Sequence, residues 1–205
     1  AAAYARTYEL ARQYDVNILG AVSWAFEFED QEWFAGFRDM ATNGVDKPVL
    51  NTLRMFGQMR GDFLPVSASR KLPVEDIMVN SVRADEDVNA LASASESSIS
   101  VMVWNYHDDD EAAEPTDIEI LVNNVAQERV YVQHYRIDET HSNSYNVWKS
   151  MGSPQNPTQE QYEELERSGK LELLTPGYWT KVDGGSLKFD FPLSRQGISL
   201  IKLTW

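Results

Sequence analysis

"SISVMVWNY", residues 98–106, nearly alternates apolar and polar side chains with a period of two, the signature of an extended chain. Four further stretches repeat or nearly repeat it: "TDIEILVNN" (116–124), "RVYVQHYRI" (129–137), "SLKFDF" (186–191) and "ISLIKLTW" (198–205), with turn residues between them. "VEDIMVNSV" (74–82) is a weaker strand candidate, and "RADEDVNALASASESS" (83–98) reads as a polar connection holding one strand edge and a loop. From about Phe63 onward the series predicts a mainly β fold, an antiparallel β-sandwich. One helix interrupts it. Thr158 and Gln161 form a capping box ahead of "QEQYEELERS", and Gly169 stands just past its end.

The first sixty residues follow a different rhythm. In "AAAYARTYELARQYDVN" (1–17), Tyr4, Tyr8, Leu10 (or Ala11) and Tyr14 recur near helical spacing, so the sequence opens inside a helix with no capping residue before it. It reads as a piece of something longer. Ile18 to Phe26 is apolar on both faces, as a strand of a parallel sheet is when helices cover both sides. Asp46 is the expected N-cap of a helix with Pro48 in its first turn and a buried stripe of Val49, Leu53, Phe56 and Met59. One helix-strand-helix unit needs neighbouring parallel strands, and the remaining sequence offers none. The expected division is 1–62, a helix-strand-helix piece of a parallel α/β unit, and 63–205, the sandwich.

The 205 residues are enough for one large domain or two small ones. With 18 basic and 32 acidic residues the net charge is −14, which argues against a nucleic-acid surface and against anionic membranes. No apolar run approaches the ~20 residues of a membrane span. The absence of cysteine excludes disulfides, thiolate metal sites and a cysteine nucleophile. Cytoplasmic, periplasmic and secreted locations all stay open, as does the oligomeric state, a homo-oligomer included.

The chemistry concentrates directly after Phe26. Glu27, Glu29, Asp30 and Glu32 are interleaved with Phe28, Trp33 and Phe34, and ligands in parallel α/β architectures sit at the carboxyl ends of strands. Carboxylates accept hydrogen bonds from sugar hydroxyls, and ring faces cover the C–H face of a pyranose. The bland alternative is a solvated loop whose Asp30 or Glu32 caps the next helix. Elsewhere the signals are weaker. "DDDEAAEPTD" (108–117) reads as a solvated acidic hairpin, because it lacks the spaced ligands and glycine of a calcium loop. His107, His134 and His141 have no metal-ligand spacing and read as structural. Trp104, Trp148, Trp179 and Trp205 read as core or sheet-packing residues, and 138–146 as a connection fixed by its own side chains.

Two stretches together resemble a known family. "SWAFEFEDQEWFAGFRDMATNGVDKPVLNTLRMF" (23–56) resembles the end of the barrel in glycoside hydrolase family 39, with its Trp-x-Phe strand end, acidic residues, Gly-Phe and a Lys-Pro helix. "HYRIDETHSNSYNVWKSMGSPQNPTQEQYEELE" (134–166) resembles the later sandwich segment of that family, seen in β-xylosidases and, more distantly, in α-L-iduronidases. Its core is Trp148-x-x-Met-Gly-x-Pro-x-x-Pro-Thr158.

The resemblance implies a retaining glycosidase on a (β/α)8 barrel with a β-sandwich attached, acting on xylo-oligosaccharides and needing no cofactor and no metal. In that family the acid/base lies in an Asn-Glu pair at the fourth strand and the nucleophile is a Glu at the seventh. This sequence has no Asn-Glu pair, so the resemblance puts both catalytic groups on a preceding barrel segment and none among these residues. It implies substrate-binding roles instead. Trp24 stacks beneath the sugar, Glu29 and Asp30 accept its hydroxyls, Phe34 walls the pocket, and Glu27 shares the acidic task. A glycone such as a uronic acid would favour a basic group nearby, for which Arg38 is the candidate. A non-catalytic sandwich module would instead present exposed aromatics among Trp104, Tyr131, Tyr135 and Trp179.

Overall fold

The computed structural model describes the chain apart from residues 23–25, 29, 37, 38 and 110. The elements in chain order are α1 (Ala2–Gln13), β1 (Ala41–Thr42), β2 (Val45–Asp46), α2 (Pro48–Gln58), β3 (Asp62–Leu64), α3 (Val74–Asn80), β4 (Asp87–Ser95), β5 (Ser98–Tyr106), β6 (Thr116–Val122), β7 (Arg129–Ile137), α4 (Ser144–Ser150), α5 (Gln159–Ser168), β8 (Glu172–Lys181), β9 (Leu187–Leu193) and β10 (Ile198–Thr204). Among the described residues no helix is long and apolar enough to cross a membrane.

The molecule is mainly antiparallel β with few helices. Six strands form one antiparallel sheet in the order β3–β4–β5–β10–β7–β8, and β6 pairs with β9 in a second, two-stranded sheet. β10 lies between β5 and β7, Leu200 opposite Met102 on one side and Tyr135 on the other. The alternation read in the sequence sorts side chains to two faces. Ile99, Val101, Val103, Val130, Val132, Ile201 and Leu203 meet Ile118, Val122, Leu187 and Leu193 of the small sheet in the main core. Full burial of each such side chain contributes about 1.5–3 kcal/mol. The small sheet is narrower than the large one, and between β6 and strands β4 and β5 a cavity of about 670 Å³ remains.

Helices cover the opposite face. Met55 of α2 packs with Met102, Ile137 and Leu200. Ala5 of α1 packs with Leu91 and Trp104. α1 is further tied down by Arg6, whose guanidinium donates to the Asp87 carboxylate at 2.6 Å. That carboxylate is 1% exposed and also accepts from the Trp104 indole at 3.1 Å and the Leu72 backbone N–H at 3.0 Å.

Several local expectations need correction. Residues 18–22 and 26 form no strand, and Leu19 and Val22 are 92% and 98% exposed. A strand apolar on both faces is stable only with a hydrogen-bonded neighbour on each side, and the described residues supply neither. The weak strand candidate at 74–82 is instead α3, started by Pro73 and by Glu75 and Asp76 in its first turn, where acids meet the positive end of the helix dipole. The 83–98 stretch holds more than a strand edge: β4 runs nine residues and lies inside the sheet between β3 and β5. The acidic 108–117 segment crosses from one sheet to the other, so it is no hairpin. Lys47, without a side-chain cap, occupies the N-cap position expected for Asp46. The buried side of α2 carries Asn51, Thr52 and Met55, while Val49 is exposed.

The capping box of α5 forms as read, with Thr158 accepting from the Gln161 N–H and Gln161 accepting from the Thr158 N–H. Thr158→Ala is expected to lower stability by about 1 kcal/mol. A urea midpoint shifted at unchanged slope checks it; an unshifted midpoint would mean that packing of Leu165 alone holds the helix.

Candidate functional site

The acidic loop is built on a two-residue hairpin. β1 and β2 pair Thr42 with Val45 across Asn43 and Gly44, both at positive φ (46° and 80°). Asn-Gly is the preferred sequence for such a tight turn. The Glu27 carboxylate accepts from the Gly44 N–H at 3.0 Å, and the Phe26 carbonyl accepts from the N–H groups of Met40 and Ala41. The chain on both sides of the loop is thus fixed to the hairpin.

Phe34 sits at φ 56°, a backbone conformation that costs a bulky residue energy and persists only where its surroundings impose it. Its N–H donates to the Thr42 hydroxyl at 3.0 Å. Its ring packs 5.0 Å from Trp148 and 5.5 Å from Tyr145. Trp33 beside it donates its N–H to the Gln155 side chain at 2.8 Å and meets Tyr162 edge-on at 6.1 Å. These rings close over a core of Val45, Trp148 and Leu165.

Polar contacts repeat the connection at greater depth. Asn51, fully buried, donates to the carbonyls of Ser142 and Gly169 at 3.2 and 2.8 Å. The Ser144 hydroxyl donates to the Asp46 carbonyl at 2.6 Å. The Asp46 carboxylate, rather than capping α2, accepts from Arg54 at 2.6 Å and lies 3.5 Å from the Lys170 ammonium. The two stretches quoted above, 23–56 and 134–166, therefore fold against each other.

Beneath the loop lies a charge arrangement that the sequence reading missed. Lys47 is 9% exposed and donates to the Ala35 carbonyl at 3.0 Å. Burial pushes its pKa down, while the Asp39 and Glu27 carboxylates pull it back up. Asp39 is buried, and among the described residues its Oδ1 has no hydrogen-bond partner. The Asn43-Gly44 turn and the Lys-Pro pair were the available signals; only the turn locates the acids next to the cation.

Of the residues singled out in the sequence, the structure places three here. Glu27 is half-buried with one oxygen committed to Gly44, Asp30 is exposed at φ 58°, and Phe34 is half-buried in the aromatic cluster. Trp24, Glu29 and Arg38 lie outside the described residues. No group of three His, Asp or Glu residues able to hold a metal ion occurs among the described residues.

The histidines have structural roles. Both ring nitrogens of His107 meet backbone groups of Arg83 and Asp109. His141 contacts Asp138, which anchors its own loop; burial raises the Asp138 pKa, but bonds from His141 and Thr140 outweigh that and hold it low. Trp104 and Trp148 are core residues, whereas Trp179 is 57% exposed and packs across the sheet on Tyr131.

Comparison with known proteins spans both stretches. The sequence model of Glycosyl hydrolases family 39 matches residues 8–183. The chain belongs to this family. A β-xylosidase of Caldicellulosiruptor saccharolyticus is 24% identical over 156 residues, which is 76% of this chain and 29% of that protein. Among solved structures, a monomeric β-xylosidase from Caulobacter crescentus superposes with a TM-score of 0.68 at 15% identity, over 82% of this chain and 33% of its own. A bacterial orthologue of human α-L-iduronidase superposes with a TM-score of 0.65 at 20% identity, over 78% and 27%. The chain thus spans about a third or less of the length of these family-39 relatives.

Proposed function

We propose that this chain is the C-terminal portion of a retaining exo-glycosidase that removes terminal β-D-xylose from xylo-oligosaccharides. In this reading residues 1–62 complete a (β/α)8 barrel and 63–205 form its accessory β-sandwich. The acid/base and the nucleophile, about 5 Å apart in a retaining enzyme, belong to the preceding barrel segment. The observation that carries the reading is the joint folding of 23–56 on 134–166, with the acid loop riding on their shared aromatic core. Leu19 and Val22, bare here, match a barrel strand waiting for its neighbours.

The acid loop then supplies binding, not bond cleavage. Glu29 and Asp30 accept hydroxyls of the terminal sugar, Trp24 stacks on its C–H face, and Phe34 closes one side. Glu27 holds the loop to Gly44 and turns its remaining oxygen to the same task. The alternative of a non-catalytic sandwich module that acts through a row of exposed aromatics is weaker, because Trp104 is 2% exposed and Tyr131 and Tyr135 are half-buried, which leaves Trp179 as the one well-exposed ring of the four and no row.

In the complete enzyme, Glu29→Gln and Asp30→Asn are each expected to lower kcat/KM on an aryl-β-xyloside by about one to two decades, the value of a charge-assisted hydrogen bond of ~1.5–3 kcal/mol. Trp24→Ala should cost at least as much, and the 205-residue chain alone should turn over nothing. Wild-type kinetics in all three variants would reduce the loop to a solvated surface.

A further inference from the structure

β7 and β8 carry a surface unlike the rest of this acidic protein. Tyr131 pairs with Trp179 and Arg129 with Lys181 across the two strands, and Lys202 of β10 pairs with Gln133. The two-residue period of the strands puts all of these side chains on the helix-covered face of the sheet, together with Leu200. The helices pack near Tyr135, Ile137 and Leu200 and leave the Arg129 end open, where Trp179 is 57% exposed.

The two rings are arranged as a platform. Their centroids are 5.5 Å apart, with planes inclined by 52°. Tyr131 lies across Gly177, where a Cβ would overlap its hydroxyl, so only glycine lets this ring lie down against β8. The Arg129 guanidinium sits 5.9 Å from the Trp179 ring.

The charges are equally specific. Arg129 and Lys181 face each other directly, a like-charge pair that destabilises a sheet. Among the described residues, none of Arg129, Lys181 and Lys202 has a carboxylate within 4.0 Å, although the chain carries a net charge of −14 and its strand-end neighbours include Glu128 and Asp183. A cationic island without a carboxylate partner, beside the exposed Trp179 ring and the half-buried Tyr131 ring, fits a ligand that is both flat and anionic.

We propose that this surface binds a polysaccharide bearing uronic-acid groups. Trp179 and Tyr131 cover the C–H faces of successive β-linked pyranoses, while Arg129, Lys181 and Lys202 meet the carboxylates. Nucleic acid fits worse, since the net charge opposes a phosphate backbone. The site is separate from the acid loop and does not rest on the glycosidase reading.

Affinity electrophoresis of the chain in gels containing glucuronoxylan tests it, alongside the same polysaccharide with its carboxyls reduced and dextran sulfate as a charge-only control. Glucuronoxylan should retard the protein at least about fivefold more strongly than the reduced polymer. Trp179→Ala should lose about tenfold in affinity and Trp179→Tyr should keep most of it. Arg129→Gln combined with Lys181→Gln should abolish the preference for the carboxylated form. Unchanged far-UV circular dichroism would show that each variant folds; an unfolded Trp179→Ala is replaced in the test by Trp179→Gln. No retardation, equal retardation by the reduced polymer or by dextran sulfate, or retardation insensitive to Trp179 and the two cations overturns the proposal.

Discussion

Replacing Asp87 by alanine is expected to destabilise the protein by about 3–5 kcal/mol, a large share of the ~5–15 kcal/mol that holds a typical domain together. The Asp87 carboxylate is buried and serves three donors: Arg6 at 2.6 Å, the Leu72 N–H at 3.0 Å and the Trp104 indole at 3.1 Å. Removing it leaves a buried guanidinium with Glu9 and a backbone carbonyl as its remaining partners, and leaves the Trp104 N–H with none. Each stranded buried donor costs about 1–3 kcal/mol, more when charged. Asp87→Asn keeps an acceptor but not the charge, so a smaller loss is expected. Urea unfolding followed by far-UV circular dichroism measures both. A loss under about 1 kcal/mol in the alanine variant would mean that Arg6 swings to solvent at little cost.

The second large effect is one of pH. His134 lies between the sheets, edge-on to Phe191 at 4.7 Å, and its Nε2 is 3.0 Å from the Ser199 hydroxyl. That hydroxyl also accepts from Arg136 Nε at 2.9 Å, and its own proton is free to be donated to Nε2 of a neutral imidazole. Burial, and secondarily the Arg136 charge, push the His134 pKa from 6.5 down to about 4. The unfolded chain therefore takes up this proton first as the pH falls. The stabilisation is present in full above about pH 6.5 and is lost progressively toward pH 4, by roughly 3 kcal/mol in all. Stability measured from pH 8 to 4 should show this slope, and His134→Gln should flatten it between pH 6.5 and 5. A mutant with the parent's slope there would assign it to other groups. Asp138, Glu9, Glu86 and Asp108, all held low, add losses at still lower pH.

The sequence was legible where a pattern has one physical cause. The five alternating stretches became strands because burial of one face of a sheet leaves few other arrangements. The Thr158 capping box formed because it is a local exchange of two hydrogen bonds. β4 was under-read because its Ala90, Ala92, Ser93 and Ala94 lack the bulk by which strands are recognised; the three alanines line the cavity beneath β6, on the face away from α1. The described part of Ile18 to Phe26, residues 18–22 and 26, was misread in the opposite sense, since apolar content selects a strand only when the partners are present. Asp46 illustrates the limit at the site. Its spacing to Pro48 suits a cap, but Arg54 and Lys170, one of them far along the chain, decide where the carboxylate goes. Likewise the acids of the loop were visible, whereas the buried Lys47 beneath them depended on a hairpin two residues per strand long.

The position of β10 has a consequence for biosynthesis. It joins β5 to β7, yet it follows both in the chain, so a nascent polypeptide on the ribosome holds two separate halves, β3–β5 and β7–β8, until residues 198–204 emerge from the exit tunnel. Until then β5 and β7 each present an unpaired edge, the geometry that recruits foreign strands. Closure of the large sheet therefore waits for β10, and the interval before it is when the two open edges are most prone to pair with other chains.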